Sequence, residues 1–172
     1  LIKMGYCDFA ENRVQEAQEK YTDILLNEDI KLNLIGPLQS NKVKQALNLF
    51  DTIQSVDREK IVNELVKHLD IGSRTKNFYI QINIGQEPQK SGVLPADFET
   101  FYQYCTNKKL KISGIMCIPP QNEDPRPFFE EMNKIKNSIN EKLTLSMGMS
   151  SDYKIALDHY TDEIRIGSLI FS

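Results

Sequence analysis

The sequence predicts an alternating α/β fold, most simply a parallel (β/α)8 barrel. Three observations predict it. Short apolar runs alternate with amphipathic stretches along the whole 172-residue chain. The runs are mostly apolar on both faces, as strands buried between two layers are. Polar or glycine residues follow nearly every run at its C-terminal end: Asn12, Gly36, Asp57, Asn83, the 146–152 loop and the 165–168 loop. A ring of such residues supplied by all strands is the barrel pattern. An open doubly wound sheet concentrates them at one switch point instead, and no Gly-x-Gly-x-x-Gly loop is present.

The elements follow in order. Leu1–Gly5 reads as the tail of a helix closed by a glycine, so Leu1 is not expected to be the natural start of the domain. Tyr6–Phe9 is the first strand and Val14–Leu26 a helix. Leu32–Ile35 is a second strand, and Ser40 caps a helix to Leu49. Thr52–Val56 is a third strand. In the helix Glu59–Leu69, residues Ile61, Val62, Leu65, Val66 and Leu69 share one face. Phe78–Ile84 is the clearest strand. Pro95 opens a helix to Thr106, in the first turn where proline is tolerated. Leu110–Met116 is a strand, Pro127–Ile139 a helix and Leu143–Ser146 a strand. Tyr153–Leu157 begins a short helix, Glu163–Ile166 is the last strand, and Leu169–Phe171 a final turn. That is one strand short of eight, and the N-terminus is the expected place for the remaining one. The whole of 1–172 reads as a single domain.

Hydrophobic residues make up 40% of the chain and charged residues 26%, with a net charge of −3. A pI near 5.5 argues against nucleic acid or an anionic membrane as the main partner. No apolar run reaches membrane-spanning length. Cys7, Cys105 and Cys117 are odd in number and lack Cys-x-x-Cys spacing, so a reducing cytoplasm is expected and a disulfide framework is not. His68 and His159 stand far apart, and no metal site is expected.

Two loops carry the chemistry. Leu145-Ser-Met-Gly-Met-Ser-Ser-Asp152 and Arg165-Ile-Gly-Ser168 each end a strand with small residues, free backbone N–H groups and hydroxyls. A phosphate dianion needs several such donors converging without side-chain bulk. Ser150, Gly167 and Ser168 are the candidates; their bland alternative is tight turns and caps. Arg165 is a donor that stays charged, or else a strand-edge arginine paired with a carboxylate such as Asp162. Asn12 and Asn83 order the mouth or bind a ligand hydroxyl, or else serve as strand-end caps or links inside the barrel. Met116 and Met147 are expected in the core, and Glu11 in a structural role.

The chain resembles the pyridoxal phosphate homeostasis proteins (the YggS/PROSC family), whose fold is the alanine racemase N-terminal TIM barrel. The blocks that carry the resemblance are Phe9-Ala-Glu-Asn-Arg-Val-Gln-Glu16, Leu34-Ile-Gly-Pro-Leu-Gln-Ser-Asn-Lys42, Ser55-Val-Asp57, Gln81-Ile-Asn-Ile84 with Lys90-Ser-Gly92, Gly114-Ile-Met116, Leu145–Asp152 and Arg165–Phe171. The resemblance implies a pyridoxal 5′-phosphate (PLP) site at the barrel mouth. Ser150, Gly167 and Ser168 would hold the phosphate, Arg165 would face the pyridine nitrogen, and Asn12 matches the asparagine of the family's Gly-Glu-Asn motif.

The sequence also departs from the family. Its Schiff-base lysine lies on the first barrel strand in a Val-Ser-Lys context, and no such string occurs here, so no catalytic residue is assigned. Lys42 and Lys90 do not match that position. Residue 10 is Ala where Gly is usual, Asn33 stands where His is typical, His159-Tyr160-Thr161 replaces Gly-Ser-Thr, and Ser172 replaces Gly.

The implied function is intracellular PLP (vitamin B6) homeostasis, holding the cofactor and delivering it to PLP-dependent apoenzymes, as a monomer and without catalysis. The alternatives are a PLP-dependent racemase-like enzyme or a degenerate, cofactor-free barrel. A racemase of this fold needs an all-β second domain and its acid–base tyrosine. The chain ends within a few residues of the last strand, so the binding role is the expected one.

Overall fold

The computed structural model describes residues 1–171. Ser172, where the departure from the family's glycine falls, lies outside the described residues. Among the described residues, seven strands alternate with seven α-helices. The strands are β1 (Asp8–Glu11), β2 (Lys31–Leu34), β3 (Thr52–Val56), β4 (Asn77–Ile82), β5 (Ile112–Cys117), β6 (Thr144–Met149) and β7 (Glu163–Arg165). The helices are α1 (Val14–Asn27), α2 (Val43–Leu49), α3 (Glu59–His68), α4 (Phe98–Asn107), α5 (Arg126–Ile139), α6 (Tyr153–Asp158) and α7 (Ser168–Phe171). The strands pair in chain order, each parallel to the next.

The sheet curls on itself. Gln54 of β3 and Tyr79 of β4 both hydrogen-bond Glu163 of β7, at 2.8 and 2.6 Å. Strands three and four places apart in a flat sheet stand roughly 14 to 19 Å apart. Only a barrel wall brings them together. Consecutive parallel strands joined by helices form such a wall, with every C-terminal strand end on one face.

Packing divides the side chains between two cores. Leu32, Leu34, Ile53, Ile80, Ile82, Ile115 and Leu145 are buried against the helix layer with Ala46, Leu47, Ile61, Leu65, Phe129 and Met132. The α3 face read from the sequence holds for Ile61, Val62 and Leu65, while Val66 is exposed. Inside the barrel polar residues gather, Gln54, Gln81 and Ser146 all being buried, with Met116 in register beside them.

Element ends differ from the sequence reading for physical reasons. The first strand is Asp8–Glu11, because Lys31 begins its ladder opposite Asp8. Residues Ser40–Lys42 form a 3-10 turn before α2, and no side chain caps either start, so Ser40 is not a cap. Pro95–Asp97 is likewise a 3-10 turn leading into α4. The fifth strand starts at Ile112, since Lys109 sits at φ 62 in a turn that re-aims Leu110. The sixth continues past Ser146 to Met149, because Met149 pairs with Arg165. The helix-tail reading of the N-terminus is a 3-10 turn, Ile2–Met4, closed by Gly5 at φ 89.

Burial sets a pH response. The Cys105 and Cys117 thiols are both pushed up to about 12, chiefly by desolvation. An exposed thiol ionises near ~8.5. A folded value above the unfolded one means the folded protein holds its protons longer, so stability is full below the unfolded value and falls as pH rises through it toward the folded one. The urea midpoint should therefore be flat to about pH 8.5 and decline above it. Iodoacetamide near neutrality should modify the exposed Cys7 and leave Cys105 and Cys117 untouched until the protein is denatured. Equal labelling of all three would contradict this burial.

Candidate functional site

The two loops named from the sequence meet in space. Met149 and Arg165 are register partners at the ends of β6 and β7, so the following residues emerge side by side. Asp152 caps the turn between them and α6: its carboxylate accepts from Met149 N at 2.6 Å. Gly148 adopts φ +94, a conformation that favours glycine, and an added Cβ would lie 2.5 Å from Ala156 Cβ. The tight turn therefore aims Ser150 across to the second loop.

Ser150 Oγ accepts from Gly167 N at 3.3 Å and from Leu169 N at 3.4 Å. Both bonds are long. Gly167 is not in the left-handed region, and a Cβ placed on it would meet nothing within 4 Å. Neither strain nor packing requires glycine there; its missing side chain leaves open space beside these amides. Ser168 is exposed in the same turn, at the start of α7. The backbone donor at Leu169 was missed from sequence, because a backbone group leaves no mark on residue type.

Arg165 lies half-buried on the same side of the barrel. Its Nη1 donates to Ser146 Oγ at 2.8 Å and its Nη2 to the Cys117 carbonyl at 2.7 Å. The alternative pairing with Asp162 is not made: that carboxylate accepts from Lys136 Nζ at 3.1 Å and from Leu145 N at 2.8 Å. Desolvation lowers the Arg165 pKa, and the charges of Asp152 and Glu163 counter it. The guanidinium stays a cation and a donor.

Asn12 and Asn83 share a different part of the mouth. They line a cleft of about 280 Å³ with Gly36, Gln81, Lys90 and Ser91. Gly36 is pressed onto the Asn12 backbone, where an added Cβ would come within 2.1 Å of the Asn12 carbonyl oxygen. Asn83 binds its own loop: its amide donates to the Glu87 carbonyl at 2.8 Å, and its side-chain oxygen accepts from Glu87 N at 3.1 Å. Lys90 pairs with Glu87 at 2.5 Å and reaches the Pro119 carbonyl at 3.3 Å. Asp57, at the end of β3, pairs with Arg58 at 2.5 Å, yet burial dominates and raises its pKa.

The remaining candidates are structural. Glu11 faces α1, where it pairs with Lys20 at 2.8 Å. Met147 belongs to the helix–sheet core; Met116 is fully buried in register with Gln81 and Ser146. Asn33, at the typical histidine position, donates to the Phe9 carbonyl at 3.0 Å. His159 is held through Nδ1 by the Ile155 carbonyl at 2.8 Å. A larger hollow, about 340 Å³, lies among the opposite strand ends, lined by Asp8, Lys31, Asp51, Thr52, Lys76 and Tyr79 among others.

Comparison with known proteins agrees with this architecture. The alanine racemase N-terminal domain family matches residues 1–172. The pyridoxal phosphate homeostasis protein of Aquifex aeolicus is 33% identical over 172 residues, covering 95% of this chain and 75% of the relative. That of Schizosaccharomyces pombe is 35% identical over 182 residues, covering 97% and 74%. Among solved structures, PipY of Synechococcus elongatus without PLP superposes with a TM-score of 0.90 at 30% identity, over 99% of this chain and 84% of that one. PipY with PLP bound gives 0.86 at 29% identity over the same shares. An alanine racemase of Clostridium difficile, at 14% identity and a TM-score of 0.69, shares the fold. A match along the entire sequence, with relatives above 30% identity on both sides of the bacterial–eukaryotic divide, makes this chain a member of the alanine racemase N-terminal domain family and, within it, of the pyridoxal phosphate homeostasis proteins.

Proposed function

We propose that this chain binds pyridoxal 5′-phosphate reversibly and takes part in its homeostasis, holding the cofactor for delivery to apoenzymes. The observation that carries the reading is the meeting of the 146–152 and 165–168 loops. Ser150 draws two backbone N–H groups of the second loop together beside the open space at Gly167. The residues fit the group. The amides of Gly167 and Leu169 are held only by long bonds to one hydroxyl, so a phosphate oxygen can replace it with shorter, charge-assisted ones. Ser150 and Ser168 add hydroxyl donors.

Arg165 supplies the complementary end. Because it donates and cannot accept, it suits a pyridine nitrogen that carries no proton. Bound PLP supplies a reactive aldehyde and an electron-accepting ring, and an unprotonated nitrogen weakens the latter. That favours holding over carbanion chemistry. Asn12, at the mouth, is positioned to order the entrance. No helix of the described residues is long and apolar enough to cross a membrane. Delivery to apoenzymes in the cytoplasm by a monomer completes the reading.

Attachment is expected to be non-covalent in these 172 residues, since Lys42 and Lys90 lie outside the family's lysine context and Lys90 is tied to Glu87. Calorimetric titration with PLP should give saturable binding. Borohydride treatment of the complex, followed by removal of ligand and intact-mass measurement, should leave the 19.8 kDa mass unchanged. A stable mass gain on any lysine would overturn the non-covalent assignment, and no saturable binding would overturn the function.

A further inference from the structure

One set of polar side chains is not used by the reading above. Glu163, Gln54 and Ser146 form a continuous line across the barrel interior that ends on Arg165. Gln54 Nε2 donates to Glu163 Oε2 at 2.8 Å, Ser146 Oγ donates to Gln54 Oε1 at 2.8 Å, and Arg165 Nη1 donates to Ser146 Oγ at 2.8 Å. The Tyr79 hydroxyl fills the other carboxylate oxygen at 2.6 Å.

The direction of every bond is fixed by chemistry. An ionised carboxylate only accepts, so Gln54 must turn its NH2 toward Glu163. Its carbonyl is then left for Ser146, which must donate to it. That leaves the Ser146 oxygen a lone pair for an incoming donor, and a guanidinium is donor only. Gln54 is 2% exposed and Ser146 fully buried, so water offers neither an easy alternative partner. The Cys117 carbonyl pins the second arm of the guanidinium at 2.7 Å.

We propose that Glu163, Gln54 and Ser146 are positioning residues for Arg165: a one-way hydrogen-bond chain that leaves β7 at Glu163, crosses to Gln54 on β3 and returns through Ser146 on β6, fixing the guanidinium plane and pointing its remaining N–H groups at the ligand. This deepens the assignment of Arg165 to the PLP ring and rests on it for the ligand. The chain gives three polar side chains of the barrel interior their partners across the wall. The Arg165 bonds described go to a hydroxyl and a carbonyl, while Glu163 is taken up by Gln54 and Tyr79 and Asp152 accepts from Met149 N, which leaves the remaining N–H groups for the ligand.

The test reads Arg165 directly. In the ligand-free protein, nitrogen-15 NMR follows solvent exchange of the guanidinium N–H groups of Arg165, with Arg74, ion-paired to Asp51 at 2.9 Å, as internal control. Gln54→Leu removes the middle of the chain, and Glu163→Gln keeps the shape but no longer dictates which way the Gln54 amide faces. Neither residue touches Arg165 in the bonds described. Both variants should speed Arg165 exchange about tenfold, the scale of losing one buried hydrogen bond, and leave Arg74 unchanged. Should Gln54→Leu fail to fold, Glu163→Gln carries the test alone. With PLP added, both should weaken binding about tenfold and shift the pH profile of the bound ligand's absorbance, while inorganic phosphate affinity stays as in the parent. Arg165 exchange within about twofold of the parent, or equal acceleration at Arg74, would overturn the positioning role and leave a merely structural one. If the parent itself binds no PLP, the ligand reading falls, and the exchange measurement still decides the positioning role.

Discussion

Replacing Gly167 by leucine is expected to weaken PLP binding by at least about a hundredfold while leaving the unfolding midpoint unchanged. The two halves of this expectation come from one observation. A Cβ at residue 167 meets nothing within 4 Å, and the backbone there is not in the left-handed region, so the fold has no use for a glycine. The space is nevertheless beside the Gly167 and Leu169 amides that converge on Ser150. A leucine side chain would fill it and keep a phosphate from reaching them. Charge-assisted hydrogen bonds contribute roughly 1.5–3 kcal/mol each, and losing two accounts for a factor of about a hundred or more. Calorimetry measures the first half and urea unfolding the second. Unchanged PLP affinity would remove Gly167 from the phosphate site. A large fall in stability would show that the glycine serves the fold instead.

Gly148 is the opposite case. Its φ of +94 suits glycine, and an added Cβ would come within 2.5 Å of Ala156 Cβ and 3.2 Å of Tyr153 Cα. Gly148→Val should cost about 2–5 kcal/mol, combining backbone strain of roughly 1–3 kcal/mol with overpacking of similar size. It should also abolish PLP binding, because the turn that aims Ser150 depends on this residue. The milder Gly148→Ala should recover part of its loss when paired with Ala156→Gly, which removes the steric contact but leaves the strain. A Gly148→Val protein with the parent's unfolding midpoint would contradict the backbone argument.

The barrel was legible because its signal is local. Thr52–Val56 is a run whose every residue is buried, and Val14, Glu59 and Tyr153 start helices where periodicity begins. Strand ends were less legible, because they belong to the ladder and not to the strand. Asn83 leaves β4 to bond the Val93 carbonyl at 2.9 Å, so the apolar run to Ile84 outlasts the strand. Met149 stays in β6 because Arg165 lies opposite it, a partner invisible in the local sequence.

The candidate site divides in the same way. Ser150, Gly167, Ser168 and Arg165 were proposed from small or charged residues at strand ends, and the fold brings their two loops together. Asn12 lies with Asn83 in the separate mouth cleft. Gln54, Ser146 and Glu163 were missed. The available signal was Gln54, an amide in the strand run Thr-Ile-Gln-Ser-Val, which must find a partner if buried. Its partners lie 92 and 109 residues away, and only closure of the wall brings them within reach.

The central claim is that the two C-terminal loops recognise the phosphate of PLP. The most direct measurement compares PLP with pyridoxal, which has the same ring and aldehyde but no phosphate, by calorimetry on the same protein, with inorganic phosphate as competitor. PLP should bind at least about a hundredfold more tightly than pyridoxal, and inorganic phosphate should displace it competitively. Equal affinity for PLP and pyridoxal, or indifference to phosphate, would contradict the account.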